Sequence, residues 1–298
     1  MIRLAVRVAG EQAELVLAEL LELAPAGVEE VRSEAGTVEY AVYGAPGELP
    51  ALPDVRAVVG DALVEISTSE IPDDWHERWK QFHRPVLIQA PHQPGGERPP
   101  IPSLRVRPPW EAPSEPGQEA VREIVIDPGQ AFGTGAHAST RLCLELLLAL
   151  AASERPSGAL LDVGTGSGVL AIAAAGLGFG PVLGLDHEQE SVDAARENAA
   201  VNGAEIEVRR FDLRREALPR MNCTEPAGGR PVVLANLLRP LLLELAASMP
   251  AAPAQLLAGG LLRGEVDEVA HAFAARLGLR ERARRESGEW GAVWLSAT

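Results

Sequence analysis

The stretch "LLDVGTGSG", Leu160–Gly168, decides how this chain is read. "LLDV" is short and apolar except for one acid, the pattern of a strand buried on both faces of a parallel sheet. Glycines at 164, 166 and 168 then permit a tight turn with positive φ, and "VLAIAAAGLG" continues with helical character. Open α/β sheets place their ligands at strand-to-helix turns of this kind.

The spacing and the charge narrow the ligand. A dinucleotide fingerprint, G-x-G-x-x-G, needs a glycine at 169, which is Val169. Asp162 points toward the turn, where a carboxylate would repel a pyrophosphate and accept hydrogen bonds from a cation. S-adenosyl-L-methionine carries an ammonium and no phosphate, so the sign of the charge favours it over NAD. Asp186 ends the next strand, "VLGLD", where a carboxylate can accept from two ribose hydroxyls. Asp212 ends the following one, "RFD", and could meet an adenine amino group or serve as an ordinary strand-end cap.

From Glu123 onward, strand and helix patterns alternate: "EIVID", "HASTRLCLELLLALAAS", "GALLDVG", "SGVLAIAAAGLG", "PVLGLD", "EQESVDAARENAAVNG", "IEVRRFD", "PVVLANLL", "RPLLLELAASM", "AQLLAGGLL", "GEVDEVAHAFAARLG" and a last hairpin, "LRERARRESGEWGAVWLS". Such alternation means a doubly wound, mostly parallel sheet, here finished by an antiparallel strand. Upstream, the order β-α-β-β-(α)-β fits a small ferredoxin-like α+β domain over residues 1–70, with its second helix the least marked element. "PDDWHERWKQFHRP", Pro72–Pro85, spaces Trp75 and Trp79 one helical turn apart. It reads as an amphipathic linker helix over 71–85, ahead of an α/β domain over 86–298.

Bulk properties exclude several classes. The 298 residues carry a net charge of −15, against direct nucleic-acid binding, which needs a basic face. Acidity suits a basic protein substrate as well as plain solubility. No apolar run reaches the ~20 residues of a membrane span, and the N-terminus does not read as a signal peptide. Cys143 and Cys223 alone give neither a disulfide framework nor a metal site, so the expected location is cytoplasmic and no metal is expected.

Two further stretches bear on chemistry. "LANLL", Leu234–Leu238, ends a buried strand with an uncharged polar residue, Asn236. Its side-chain carbonyl, with the neighbouring backbone carbonyl of Leu237, can accept hydrogen bonds from an amine and aim the nitrogen lone pair at a methyl donor. The competing reading makes Asn236 the cap of the helix that starts at Arg239. "IDPGQAFGTGAHAST", Ile126–Thr140, concentrates glycine around Phe132 before a helix. Its backbone, at Phe132 and Gly133, can pass close to the methionine end of a cofactor. His137 could orient the cofactor or the amine, or simply pack at the helix N-terminus.

In order, "DPGQAFGTGAHAST", "LLDVGTGSGVLAIAA", "GLDHEQESVDAARENAAVNG", "VVLANLLRPLLLELA" and "ESGEWGAVWL" resemble successive blocks of the PrmA family. "WHERWKQFHRPVLI" and "RPPW" resemble its linker and lead-in. The resemblance implies a class I methyltransferase domain, a ferredoxin-like domain that recognises the substrate, and a flexible linker between them. It implies cofactor contacts at Thr140, Gly164, Asp186 and Asn236, beside Asp162, Gly166, Gly168 and Asp212. It also implies trimethylation of the α-amino group and lysine side chains of free ribosomal protein L-11, by an enzyme expected to be monomeric. A lysine methyltransferase for another protein and a non-catalytic cofactor-binding homologue are the alternatives. Ala136 departs from the family's usual threonine, Arg230 and Pro231 stand where an acid usually begins the strand, and the loop Leu213–Arg230 is long.

Overall fold

The computed structural model describes residues 2–13, 16–17, 20, 23, 28–34, 36–44, 49–50, 52–70, 83–91, 100–114, 121–128, 133, 135–154, 156, 158–219 and 230–297. Two compact units emerge, Met1–Phe82 and His83–Thr298. The linker helix expected over 71–85 falls mostly outside the described residues; the three described ones, His83, Arg84 and Pro85, are not helical.

In the first unit, β1 (Ile2–Ala9), β2 (Glu29–Glu34), β3 (Thr37–Gly44) and β4 (Leu63–Glu70) form an antiparallel sheet of order β2-β3-β1-β4. This is the ferredoxin-like order, and α1 (Leu52–Val59) supplies the second helix that the sequence marks least. Alternation sends Leu4, Val6 and Val8 of β1 and Tyr40 and Val42 of β3 into one core with Val55 and Val59 of α1. The other face of β1 carries charges: Glu39 bridges Arg3 at 2.6 Å and Arg7 at 2.9 Å.

The second unit is built on a seven-stranded sheet. Its strands are β8 (Leu160–Val163), β9 (Val182–Asp186), β10 (Ile206–Arg210), β11 (Val232–Asn236), β12 (Gln255–Leu262), β13 (Arg280–Ser287) and β14 (Trp290–Ser296). Their order is β10-β9-β8-β11-β12-β14-β13. All pairs are parallel until β14, which runs antiparallel to β12 and to β13. Strand order reverses beside β8, so the glycine turn lies at the topological switch point, where the ends of β8 and β11 part.

Helices cover both faces because the buried strands are apolar on both. α2 (Ala138–Ser153) and α3 (Val169–Leu177) share a core with Leu160, Leu234 and Leu257. α5 (Arg239–Ser248) and α6 (Val266–Leu277) pack on Leu161, Val163, Val233 and Ala235. Between them in sequence lies α4 (Gln189–Val201), whose Val192 and Ala195 meet Val208 of β10. No helix among the described residues is long and apolar enough to cross a membrane.

One expectation needs correcting. "EIVID" does not open the large sheet. It forms β7 (Val121–Val125) of a separate three-stranded sheet, antiparallel between β5 (Val86–Ile88) and β6 (Ser103–Arg107) and parallel between β6 and β7. Ile88, Leu104, Val106 and Ile124 join the core of α2 and α3. Helices already occupy that face of the large sheet, so these strands must pair with one another.

Glu123 fastens the small sheet. It accepts hydrogen bonds from Arg105 at 2.9 Å, Arg107 at 2.6 Å and the Ser114 hydroxyl. Burial pushes its pKa up, but these bonds outweigh burial and hold it down at about 2. A depressed carboxylate stabilises the fold above its unfolded pKa and loses that contribution as pH falls toward the folded value. Glu123→Gln is therefore expected to cost up to about 3 kcal/mol at pH 7, and less than half of that at pH 3. Urea unfolding of both chains at the two pH values measures it; a pH-independent difference would refute the clamp.

Candidate active site

The glycine turn is held mainly by its own backbone. Gly164 (φ 76°) and Thr165 both donate their N–H to Leu185 O, at 2.8 and 2.9 Å, which staples the turn to β9. Gly166 N–H donates to Asp186 Oδ2 at 2.9 Å. Gly168 (φ 82°) donates to Thr165 O at 2.8 Å and becomes the N-cap of α3. A side chain at 164 would land on Leu237, and one at 168 would meet Ala195 at 3.1 Å, so both positions need glycine for space as well as for φ.

A cleft of about 300 Å³ opens beyond this turn, lined by Gly164, Asp186, His187, Phe211, Asp212, Leu213, Leu237 and Leu241 among others. Asp186 is 8% exposed. Its oxygens accept from Gly166 N–H and, at 3.2 Å, from Glu188 N–H. A carboxylate has about four acceptor positions, so capacity remains for a vicinal diol. Asp212 has local work: Oδ1 accepts from Arg214 N–H at 2.9 Å and Oδ2 lies 3.3 Å from the Arg215 guanidinium. It is a turn-forming residue that also lines the cleft. The apolar walls Phe211, Leu213 and Leu241 escaped the sequence reading; the signal was that the first two stand just past a strand end and Leu241 lies in the first turn of α5.

Register and alternation bring the other groups together. Asp162 lies opposite Leu234, so Asp162 and Asn236 share the face covered by α2. Asp162 is fully buried; its Oδ2 accepts from the Thr165 hydroxyl at 2.7 Å, and its Oδ1 has no hydrogen-bond partner among the described residues. Burial pushes its pKa up to about 7; the nearby Asp186 adds to this, while the Thr165 hydroxyl and, more weakly, the Ala171 amide oppose it. Asn236 Nδ2 donates to the buried Thr140 hydroxyl at 3.4 Å, and its Oδ1 is buried without a partner among the described residues. The residue that caps α5 is Leu238, so Asn236 is not a helix cap. Leu237 donates its N–H to Gly259 O at 3.1 Å, which fixes the chain just after Asn236.

A buried acceptor left unpaired costs about 1–3 kcal/mol. A cationic ligand group at Asp162 and an N–H donor at Asn236 would satisfy both oxygens. That donor set fits S-adenosyl-L-methionine and an amine acceptor. It fits a dinucleotide poorly, because Asp162 would face the pyrophosphate.

Other expected site residues fall elsewhere. His137 is the N-cap of α2: its Nδ1 accepts from Ser139 N–H at 3.3 Å and lies 2.8 Å from the Ser139 hydroxyl. Its ring meets Trp290 edge-on at 4.6 Å, and burial lowers its pKa. These contacts make it the cap of α2. Phe132 lies outside the described residues. Gly133 (φ 102°) uses its carbonyl to accept from the Ser167 hydroxyl at 2.6 Å, joining the lead-in segment to the glycine turn. Ala136 is exposed, and residues 220–229 of the long loop lie outside the described residues.

Gly259 and Gly260 of β12 went unnoticed in sequence. A side chain at 259 would land on Cys143 Sγ and lie 3.2 Å from Asn236 Oδ1; one at 260 (φ 78°) would meet the Leu237 carbonyl at 2.5 Å. Paired glycines inside a strand are the available signal, since they mark close backbone approach or a bulge. The β12–β14 register does shift between Ala258 and Leu261. Among the described residues, no group of three or more His, Cys, Asp or Glu could hold a metal.

Known proteins agree with this geometry. The family described as "Ribosomal protein L11 methyltransferase (PrmA)" matches residues 55–297. A ribosomal protein L11 methyltransferase of Syntrophotalea carbinolica is 40% identical over 240 residues, covering 77% of this chain and 70% of that protein. One of Geobacter sulfurreducens is 37% identical, covering 81% and 73%. The crystal structure of a ribosomal protein L11 methylase from Lactobacillus delbrueckii subsp. bulgaricus superposes with a TM-score of 0.55 at 27% identity, covering 70% of this chain and 97% of that one. On this glycine turn, this sheet order and these matches, the chain belongs to the ribosomal protein L11 methyltransferase (PrmA) family.

Proposed function

We propose that this protein transfers methyl groups from S-adenosyl-L-methionine to amino groups of ribosomal protein L11, both α-amino and lysine ε-amino, up to the trimethylated state. The observation that carries the reading is the pair of buried oxygens, Asp162 Oδ1 and Asn236 Oδ1, that share one face of the sheet and have no partner among the described residues. Relatives named for ribosomal protein L11 supply the substrate. Such a substrate places the reaction in the cytosol, and residues 1–70 serve as the substrate-recognition domain.

When bound, S-adenosyl-L-methionine supplies an electrophilic methyl group on a sulfonium. The chain's part is binding and aim. Asp162 would hold the ammonium, Asp186 the ribose hydroxyls, and the glycine turn the main-chain approach. Asn236 Oδ1 accepts an N–H of the incoming amine, and the Leu237 carbonyl is the second acceptor. Held at two points, the nitrogen presents its lone pair along one line, which is catalysis by orientation. An α-amino group, with a pKa near 8, reaches its neutral form readily at pH 7. A lysine near 10.4 needs burial against the apolar walls to favour the neutral form. Each of the first two transfers leaves a cationic amine that must lose one N–H proton to solvent before its lone pair is free again. The neutral amine offers two N–H groups to these acceptors at the first transfer, one at the second and none at the third, so Asn236 aims the first transfer most strongly.

Asn236→Ala is expected to lower methyl transfer to free L11 by about 10²-fold. Cofactor affinity should change far less. Radiolabelled turnover and calorimetric binding measure the two; a variant with wild-type turnover would refute the role of Asn236.

The buried Asp162 gives a pH test. With a pKa of about 7 in the free protein, it is mostly protonated at pH 6, and pairing with an ammonium requires the carboxylate. Binding of S-adenosylhomocysteine is expected to release about 0.9 proton at pH 6 and about 0.1 at pH 8. Calorimetry in buffers of different ionisation enthalpy counts these protons. Release that persists in Asp162→Asn would assign the proton to another group.

Gly259→Ala places a methyl group on Cys143 Sγ and against Asn236. It is expected to cost about 1–3 kcal/mol of stability and most of the activity. Cys143→Ala in the same chain should restore much of the stability, read as the urea midpoint. A Gly259→Ala chain as stable as the parent would show that the space is not limiting.

A further inference from the structure

Two asparagines one helical turn apart, Asn198 on α4 and Asn202 just after it, spend both halves of their amides on main chain. Asn202 Oδ1 accepts from Val125 N–H at 2.8 Å while its Nδ2 donates to Val125 O at 2.6 Å, imitating a neighbouring strand for the edge of β7. Asn198 does something different. Its Oδ1 accepts from Asp127 N–H at 3.0 Å, and its Nδ2 donates to Ser167 O at 2.8 Å. It is 3% exposed, so water cannot replace either bond cheaply.

Asn198 thus bridges the segment leaving β7 and the glycine turn. The Ser167–Gly168 peptide is held at both ends: Asn198 takes its carbonyl, and its N–H donates to Thr165 O at 2.8 Å. Ser167, itself buried, extends the bridge by donating its hydroxyl to Gly133 O at 2.6 Å. α4 lies close against the turn, because a side chain at 168 would meet Ala195 at 3.1 Å. One side chain therefore sets the spacing of Asp127, the glycine turn and, through Ser167, Gly133.

We propose that Asn198 is a positioning residue for cofactor binding: it locks the peptide planes of the glycine turn in the ligand-receiving geometry and registers the segment around Gly133 against them. This rests on the cofactor reading above. Asn202 provides the control: it fastens the same helix end to Val125 of β7 and donates to Asn198 O at 2.7 Å without touching the turn.

The test is calorimetric binding of S-adenosylhomocysteine to the full-length wild type and to Asn198→Ala, Asn198→Asp and Asn202→Ala, with Tm recorded for each. Asn198→Ala is expected to weaken binding by about tenfold or more, the worth of a buried hydrogen bond. Asn198→Asp keeps an acceptor for Asp127 but cannot donate to Ser167 O; it should weaken binding at least as much, and it serves if the alanine chain does not fold. Asn202→Ala should lower Tm comparably yet bind within about twofold of wild type. In turnover, the Asn198 variants should raise KM for S-adenosyl-L-methionine and leave KM for the protein substrate unchanged. Wild-type affinity in the Asn198 variants, or an equal loss in Asn202→Ala, overturns the proposal. A wild-type chain that does not bind S-adenosylhomocysteine overturns the functional reading as well.

Discussion

Close approach of backbone at one spot is the constraint on which the rest of the site depends. Gly164 and Gly260 face Leu237, and a side chain at either would collide with it; one at Gly259 would collide with Cys143 Sγ and crowd Asn236 Oδ1 at 3.2 Å. The missing Cβ atoms leave room for the Leu237 main chain and side chain and for the Asn236 side chain at the end of β11. Register and alternation put Asn236 on the same face as Asp162, where its Nδ2 donates to Thr140. The glycine turn and the glycine pair are thus two halves of one device, 95 residues apart between Gly164 and Gly259.

Electrostatics follows from that packing. Asp162 lies in a strand buried throughout, which makes its charge expensive and holds its pKa at about 7. Such an arrangement costs stability in the free protein and is offset when a cation arrives. The same burial raises the Cys143 thiol to about 12, with Asp162 adding to it, so this cysteine acts as packing beneath Gly259 rather than as a nucleophile. A chain with net charge −15 is also suited to meet a basic protein.

Much of this was legible in the sequence because local rules wrote it. The alternation of strands and helices, the glycine turn after "LLDV", and the strand-end acids Asp186 and Asp212 follow from periodicity and backbone freedom. The antiparallel four-stranded unit, including its inconspicuous α1, was legible for the same reason. "EIVID" misled because a strand pattern does not name its partners; β7 pairs with β6 only because α2 and α3 cover the large sheet. At His137 the sequence left two readings open, since a histidine before a helix reads alike whether it faces a substrate or caps the helix; the structure shows the cap.

By itself, then, the sequence determined the element order, the places where backbone must bend or approach closely, and the sign of the charge offered to a ligand. Each of these depends on residues near one another in the chain. Tertiary structure alone decided which buried oxygens lack a partner among the described residues, that Asn236 is not a cap, and that Asn198 reaches the glycine turn. Those facts depend on register between β8 and β11 and on the packing of α4. Register and packing are set by burial summed over the whole unit, which no single stretch contains.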